Sequence, residues 1–245
     1  MMMSAISPTI DTVTNHLDTN QLELREMSIK FKVAGLVLFC FAGQVSAATV
    51  EAQVQDSKTG DPLENAVVVA IPSDGASFSS GGNEIVVDQI DKEFIRYVTP
   101  TSTGSEVQFP NHDKIRHHVY SFSSAKNIEI PLYKGTPAEP ILLDQAGEIT
   151  LGCNIHDWMK GFIYVSESPY FAQSDVTGRA TISNLPKGQY DVQVWHPNLN
   201  GKPDKTAQAV AFQSTTDSQA LKFEIKQKKV WKAWRSPTVG TGSYN

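Results

Sequence analysis

The sequence predicts an all-β protein made of two β-sandwiches, and three features carry that expectation. Short runs of β-branched and apolar residues follow one another from residue 49 to residue 225, each bounded by turn-forming residues. The 16 glycines and 13 prolines are spread between those runs rather than clustered, as the turns of many short strands require. No stretch of normal helix length carries a convincing 3.6-residue apolar repeat, which argues against helical and α/β classes.

The strands can be assigned in order. Thr49 to Val54 alternates, with Val50, Ala52 and Val54 on one face. A turn from Ser57 to Pro62 leads into Ala66 to Ile71, whose unbroken apolar run is that of a buried strand. After a Gly/Ser-rich connection from Ser73 to Asn83, the pattern resumes at Val86-Val87 and at Phe94 to Val98. Gly104 to Phe109 alternates, with Val107 and Phe109 together, and Val119 to Phe122, Ile128 to Leu132 and Ile141 to Leu143 follow. Gly147 to Cys153 places Ile149, Leu151 and Cys153 on one face, and the next strand begins at Gly161 and runs to Val165. Beyond turns at Pro169 and Gly178 come Ala180 to Ile182, Tyr190 to Trp195, Ala207 to Phe212 and Ala220 to Ile225.

Composition narrows the class of protein. With 245 residues, 40% hydrophobic and 19% charged, the chain has enough apolar surface to bury a core and is not a disordered polymer. A formal net charge of -5 leaves no basic surplus for nucleic acid. Residues 29–47 read as a secretory leader. Lys30 and Lys32 supply its positive end, Val33 to Phe41 is too short to span a bilayer, and Val45-Ser46-Ala47 is a cleavage pattern with the cut expected after Ala47. Residues 1–26, polar and patternless, precede a second possible start at Met27; the alternative is a single membrane anchor with a cytoplasmic arm. Phe39 stands where a lipobox needs a small residue, so lipidation at Cys40 is not expected. The expected location is the periplasm. The tail, residues 227–245, is basic and aromatic (Lys228, Lys229, Trp231, Lys232, Trp234, Arg235) and then Gly/Ser-rich. It is expected to be poorly ordered, and it is the one segment where membrane contact is considered.

Once the leader is removed, the exported chain keeps one cysteine, Cys153, in an oxidising compartment where a free thiol is a liability. Cys153, His156 and Met159 follow at intervals of three residues. A metal would remove the liability, and a soft thiolate and thioether with borderline imidazoles suit copper better than magnesium, calcium or manganese. Zinc gains little from a methionine. Three donors within seven residues cannot close a site, so a second imidazole must come from elsewhere, and His117 and His118 are the available donors. Periodicity favours His118, because His118, Tyr120 and Phe122 alternate as an apolar set.

These residues resemble the cupredoxins. The stretch from Cys153 through His156, Met159, Gly161, Ile163 and Val165 is similar to the copper loop and final strand of that family, with a loop of amicyanin length. Upstream, Gly104, Val107, Phe109 and Asn111, followed six residues later by His117 and then Val119, resembles the strand that precedes the family's first histidine ligand. That register selects His117 over His118. Asp157-Trp158 fills a loop that often carries proline, and His118 stands where asparagine usually follows the ligand. The resemblance covers residues 86–166 and implies a Greek-key sandwich holding one copper ion per chain. Its ligands would be His117, Cys153 and His156 with Met159 as a long axial donor. It further implies single-electron transfer with partner redox proteins and no catalysis of its own.

The flanks, residues 48–75 and 167–226, resemble two halves of a carboxypeptidase regulatory-like, Ig-like sandwich, into which the copper domain is inserted or against which it packs. Thr59-Gly60-Asp61-Pro62-Leu63 stands in the first half, and Asp175, Gly178, Leu185-Pro186, Gly188 and Tyr190 in the second. The whole arrangement is similar to exported bacterial proteins called methylamine utilization proteins. His112 and Asp113 are read as turn residues with a secondary metal contact as the alternative, and His196 before Pro197 as structural. No hydrolase or metalloprotease motif is present. Two other functional classes stay open at this point: a copper chaperone or sensor, and a metal-free structural pair of sandwiches.

Overall fold

The computed structural model describes residues 48–75 and 81–229. The leader, Cys40, and the tail beyond residue 229 lie outside the described residues, as do the expectations placed on them. Among the described residues the structure is all-β, with a single 3-10 turn at Pro203–Thr206. No helix among them is long and apolar enough to cross a membrane.

Strands from both ends of the chain share one core. β1 (Ala48–Asp56) lies antiparallel to β14 (Arg179–Leu185) and parallel to β17 (Ser218–Ile225). The facing sheet runs in the order β13 (Phe171–Gln173), β2 (Val67–Pro72), β15 (Gly188–Trp195) and β16 (Gln208–Phe212). Val50 and Val54 of β1, Val68 and Ala70 of β2, and Val192 and Val194 of β15 meet between them, closed by Phe212, Phe223 and Ile225. The alternation read in β1 is the period of a half-buried strand, since its other face meets solvent.

The intervening residues build a second core. A sheet of β3 (Glu84–Val86), β7 (Ser105–Gln108) and β10 (Ile141–Leu143) faces a five-stranded sheet ordered β6 (Val98–Ser102), β12 (His156–Ser166), β11 (Gly147–Cys153), β8 (His117–Ser123) and β9 (Lys126–Tyr133). Val107, Phe109 and Leu143 from one sheet pack on Val119, Ile149, Leu151, Met159 and Ile163 from the other. A small hairpin, β4 (Gln89–Ile90) and β5 (Glu93–Phe94), completes this half.

A third apolar layer joins the two halves. Val67, Val69 and Trp195, on the outer face of β2 and β15, pack on Val98 and Phe162, on the outer face of β6 and β12. The Trp195 ring stacks on Tyr164 at 4.8 Å between centroids and donates from Nε1 to Glu148 Oε2 at 3.1 Å. β2 is therefore covered on both faces, which explains why Val67 to Ala70 reads as an unbroken apolar run rather than an alternation.

Three expectations need correction. The strand expected to begin at Gly161 begins at His156, so the metal-loop residues already belong to a ladder. Phe94 to Val98 is two short strands, β5 and β6, separated by a turn in which Arg96 has φ 63°. The alternating set His118, Tyr120 and Phe122 faces outward, with Phe122 82% exposed, while His117, Val119 and Ser121 point into the core.

His196, read as structural, directly follows β15 and is buried, and burial pushes its pKa down to about 4, partly offset by a hydrogen bond with the Glu64 backbone. Its Nδ1 accepts from the Asn198 amide at 3.1 Å. A histidine in the unfolded chain titrates near ~6.5, so as pH falls the unfolded state takes up this proton first. Stability is therefore lost between about pH 6.5 and about pH 4, on the order of 3 kcal/mol in all. Urea midpoints at pH 7 and pH 4.5 should show this loss, and His196→Gln should shrink the difference.

Candidate metal centre

Three strands deliver three donors to one point. β8 begins at His117, β11 ends at Cys153 and β12 begins at His156. Cys153 is paired with Val119 of β8 on one side and, through a bulge, with His156 of β12 on the other. His117 lies two residues before Val119 and shares its inward face, which brings the imidazole over the thiol. The Asn154 amide donates to the His118 carbonyl at 3.2 Å and ties the two ligand-bearing loops together.

The donor atoms converge. Cys153 Sγ lies 3.6 Å from His117 Nδ1 and 3.6 Å from His156 Nδ1, and all three atoms fall within 4.8 Å of one another. An ion ~2.0 Å from each imidazole nitrogen and ~2.3 Å from the sulfur would hold nitrogen and sulfur roughly 3.5–3.8 Å apart at tetrahedral to trigonal angles. The observed separations match. Among the described residues this is the one group of three histidine, cysteine or acidic side chains placed to hold a metal. His117 and Cys153 are buried, and His156 is half-exposed.

Met159 is 1% exposed and packs in the same core cluster as Cys153. It also lines, with Cys153, His156 and Tyr120, a cleft of about 310 Å³. His118 stands outside the cluster, turned toward the Tyr120 ring. Trp158 sets its ring 5.2 Å from that of His156 and packs against the core that holds Cys153, so it caps the site from one side. Gly152 has no room for a side chain: a Cβ there would come within 2.7 Å of the Tyr120 ring, which covers the residue preceding the thiol.

Asp113, expected as a turn residue or a secondary metal contact, bonds the ligand histidine instead. Its Oδ2 accepts from His117 Nε2 at 2.7 Å. The signal was available as the Asp113–His117 spacing of four residues, but nothing in the sequence distinguishes that spacing from chance. His112 instead holds Asp88, with Nδ1 at 2.7 Å from a carboxylate oxygen, and is exposed and outside the cluster. Asn111 organises the connecting loop, donating from Nδ2 to the Ile115 and Tyr133 carbonyls and accepting the Asp113 amide on Oδ1.

The three donors are shifted by one another and by burial. Burial works against ionisation of Cys153, but the hydrogen bond it shares with the His117 imidazole and those from nearby backbone amides outweigh it and lower the thiol pKa. Burial likewise opposes a charge on His117, and its bonds to Cys153 and Asp113 raise its pKa in spite of that. Burial opposes ionisation of Asp113 too, yet His117 and two backbone amides bring its pKa below the ordinary carboxylate value. His156 goes the other way: burial first, then the positive charges of His117 and Lys92, lower its pKa and so favour its neutral form. A metal requires a thiolate and neutral imidazoles, so the shifts of Cys153 and His156 favour binding, whereas His117 must give up a proton that Cys153 and Asp113 help it hold.

No protein-family model matches the chain, and no curated protein does. Among solved structures, an oxidised amicyanin variant aligns at 16% identity over 42% of this chain and 100% of the other, with a TM-score of 0.31. A purple cupredoxin from Nitrosopumilus maritimus aligns at 18% identity over 34% of this chain and 99% of the other, with a TM-score of 0.29. A copper-containing nitrite reductase from Thermus scotoductus aligns at 21% identity over 43% of this chain and 27% of its own, with a TM-score of 0.32. Each likeness spans less than half of this chain.

Proposed function

We propose that this chain is an exported copper protein that carries single electrons between partner proteins. One ion per chain would be held by His117 Nδ1, His156 Nδ1 and Cys153 Sγ, with Met159 as a weaker fourth donor. The observation that carries this reading is the approach of two imidazole nitrogens to one buried sulfur at 3.6 Å each. Thiolate, imidazole and thioether together favour copper over harder cations.

Bound copper supplies a one-electron couple. The chain's own residues supply geometry and access. His117 and Cys153 are fixed inside a packed core, so a change of one charge meets little reorganisation. Half-exposed His156 is the edge through which a partner would couple to the centre. With Met159 as the fourth donor, the protein would leave a bound ion no open position for a substrate, which favours a carrier over an enzyme. In this reading the sandwich of β1, β2 and β13–β17 is a scaffold or docking module, and the leader places the protein in the periplasm.

Titrating the metal-free protein with Cu(II) tests the reading. One equivalent should bind and produce an intense visible thiolate-to-copper band, with fast electron self-exchange. Labile Cu(I) binding with no stable Cu(II) form would make the chain a copper chaperone or sensor. Failure to retain copper at one equivalent would leave a structural pair of sandwiches.

A further inference from the structure

We infer that the Asp91–Lys92 turn is a positioning element for the metal centre, holding Asp113 so that the His117 imidazole presents Nδ1 to Cys153. The identity of the ion rests on the function proposed above, but the positioning does not. The turn closes the β4–β5 hairpin, and both of its residues are left-handed, Asp91 at φ 54° and Lys92 at φ 63°. Tight hairpins with two such residues normally use Asn-Gly, because a side chain strains that conformation. Two successive strained residues persist only where their surroundings over-determine them.

The surroundings here are Asp113. The Asp91 amide donates to Asp113 Oδ1 at 2.8 Å and the Lys92 amide to Asp113 Oδ2 at 2.9 Å. The same Oδ2 accepts from His117 Nε2 at 2.7 Å. A carboxylate with both oxygens engaged by the turn cannot rotate freely, and as an acceptor it requires the proton of His117 to sit on Nε2. Nδ1 is then the nitrogen left facing the sulfur. The hairpin is itself anchored: Gln89 is fully buried and donates to the Phe109 and Pro110 carbonyls and to Tyr133 Oη. Phe94 is buried against Gly161, where a Cβ would approach it to 3.0 Å. A segment more than twenty residues upstream of His117 therefore reaches the ligand through one carboxylate.

Two substitutions at one position separate the turn from the charge. Lys92→Gly and Lys92→Val both remove the ammonium, but glycine relieves the left-handed strain while valine aggravates it. The readout is solvent exchange of the His117 Nε2 proton, followed by nuclear magnetic resonance in the metal-free protein. Exchange should be slower than wild type in Lys92→Gly and faster by at least about tenfold in Lys92→Val. The indole proton of Trp195 reports that the rest of the fold is intact. Equal acceleration in both variants, or unchanged exchange in a folded Lys92→Val protein, would overturn the inference. If the valine variant does not fold, the glycine variant decides alone, since exchange as fast as wild type or faster contradicts the clamp. A wrong assignment of copper shows separately, as missing stoichiometric copper in the wild type, and leaves this measurement unaffected.

Discussion

Replacing Cys153 by serine is expected to abolish the visible absorption of the copper-loaded protein while leaving the fold in place. The band arises from the thiolate, and a serine hydroxyl stays protonated at neutral pH and is a hard donor. Copper affinity should drop by more than about a hundredfold, since removing even an outer partner of a ligand costs 10–100-fold. The side chain at this position is buried between two imidazole nitrogens, and a hydroxyl of similar size can keep a hydrogen bond to one of them. Stability of the metal-free protein should therefore change by only about 1 kcal/mol. Visible spectra, competition titration and thermal melts of the two proteins check the three parts separately. A mutant that kept the band would show that the chromophore lies elsewhere.

The largest expected loss of stability comes from Trp195→Ala, about 3–5 kcal/mol, because truncation opens a cavity in the layer joining the two halves. Trp195 is 4% exposed, stacks on Tyr164 and lies 6.0 Å, edge to face, from Phe162. Its removal also takes a hydrogen-bond donor from Glu148 Oε2, which adds a polar cost to the lost packing. The layer lies toward the end of β12 opposite the metal donors: Tyr164 pairs with Glu148, five residues before Cys153 on β11, about 17 Å of strand. Urea denaturation should accordingly show a lowered midpoint while the copper spectrum below the transition is unchanged. Unchanged stability would mean that the two cores do not depend on each other through this contact.

Much of this architecture is written in local pattern. The alternation from Gly147 to Cys153 matches the burial of Ile149, Leu151 and Cys153, and the unbroken run at Val67 to Ala70 matches a strand covered on both sides. The misreadings have physical causes. His118, Tyr120 and Phe122 look like a buried face because two are aromatic, yet the inward face of β8 is the one with small and polar members, Val119, Ser121 and His117. His117 is buried as a member of the donor cluster and Ser121 shares its inward face, so hydrophobicity alone misplaces the register, which the spacing from Asn111 to His117 and the position of Val119 beside Cys153 set right. The β4–β5 hairpin, two residues a strand, is too short to leave a period, and its turn lacks the glycine that would announce it. What holds it is a carboxylate far along the chain, and no local pattern reports a contact of that kind. The spacing of Cys153, His156 and Met159 was legible, whereas Asp113 as a partner of His117 emerges only when the strands are in place.

The most direct test of the copper centre is X-ray absorption at the copper edge on protein loaded with one equivalent. One short copper–sulfur distance near ~2.2 Å and two imidazole shells near ~2.0 Å are expected, with the sulfur shell lost in Cys153→Ser. A coordination shell of nitrogen and oxygen alone in the wild-type protein would contradict a centre built on His117, Cys153 and His156.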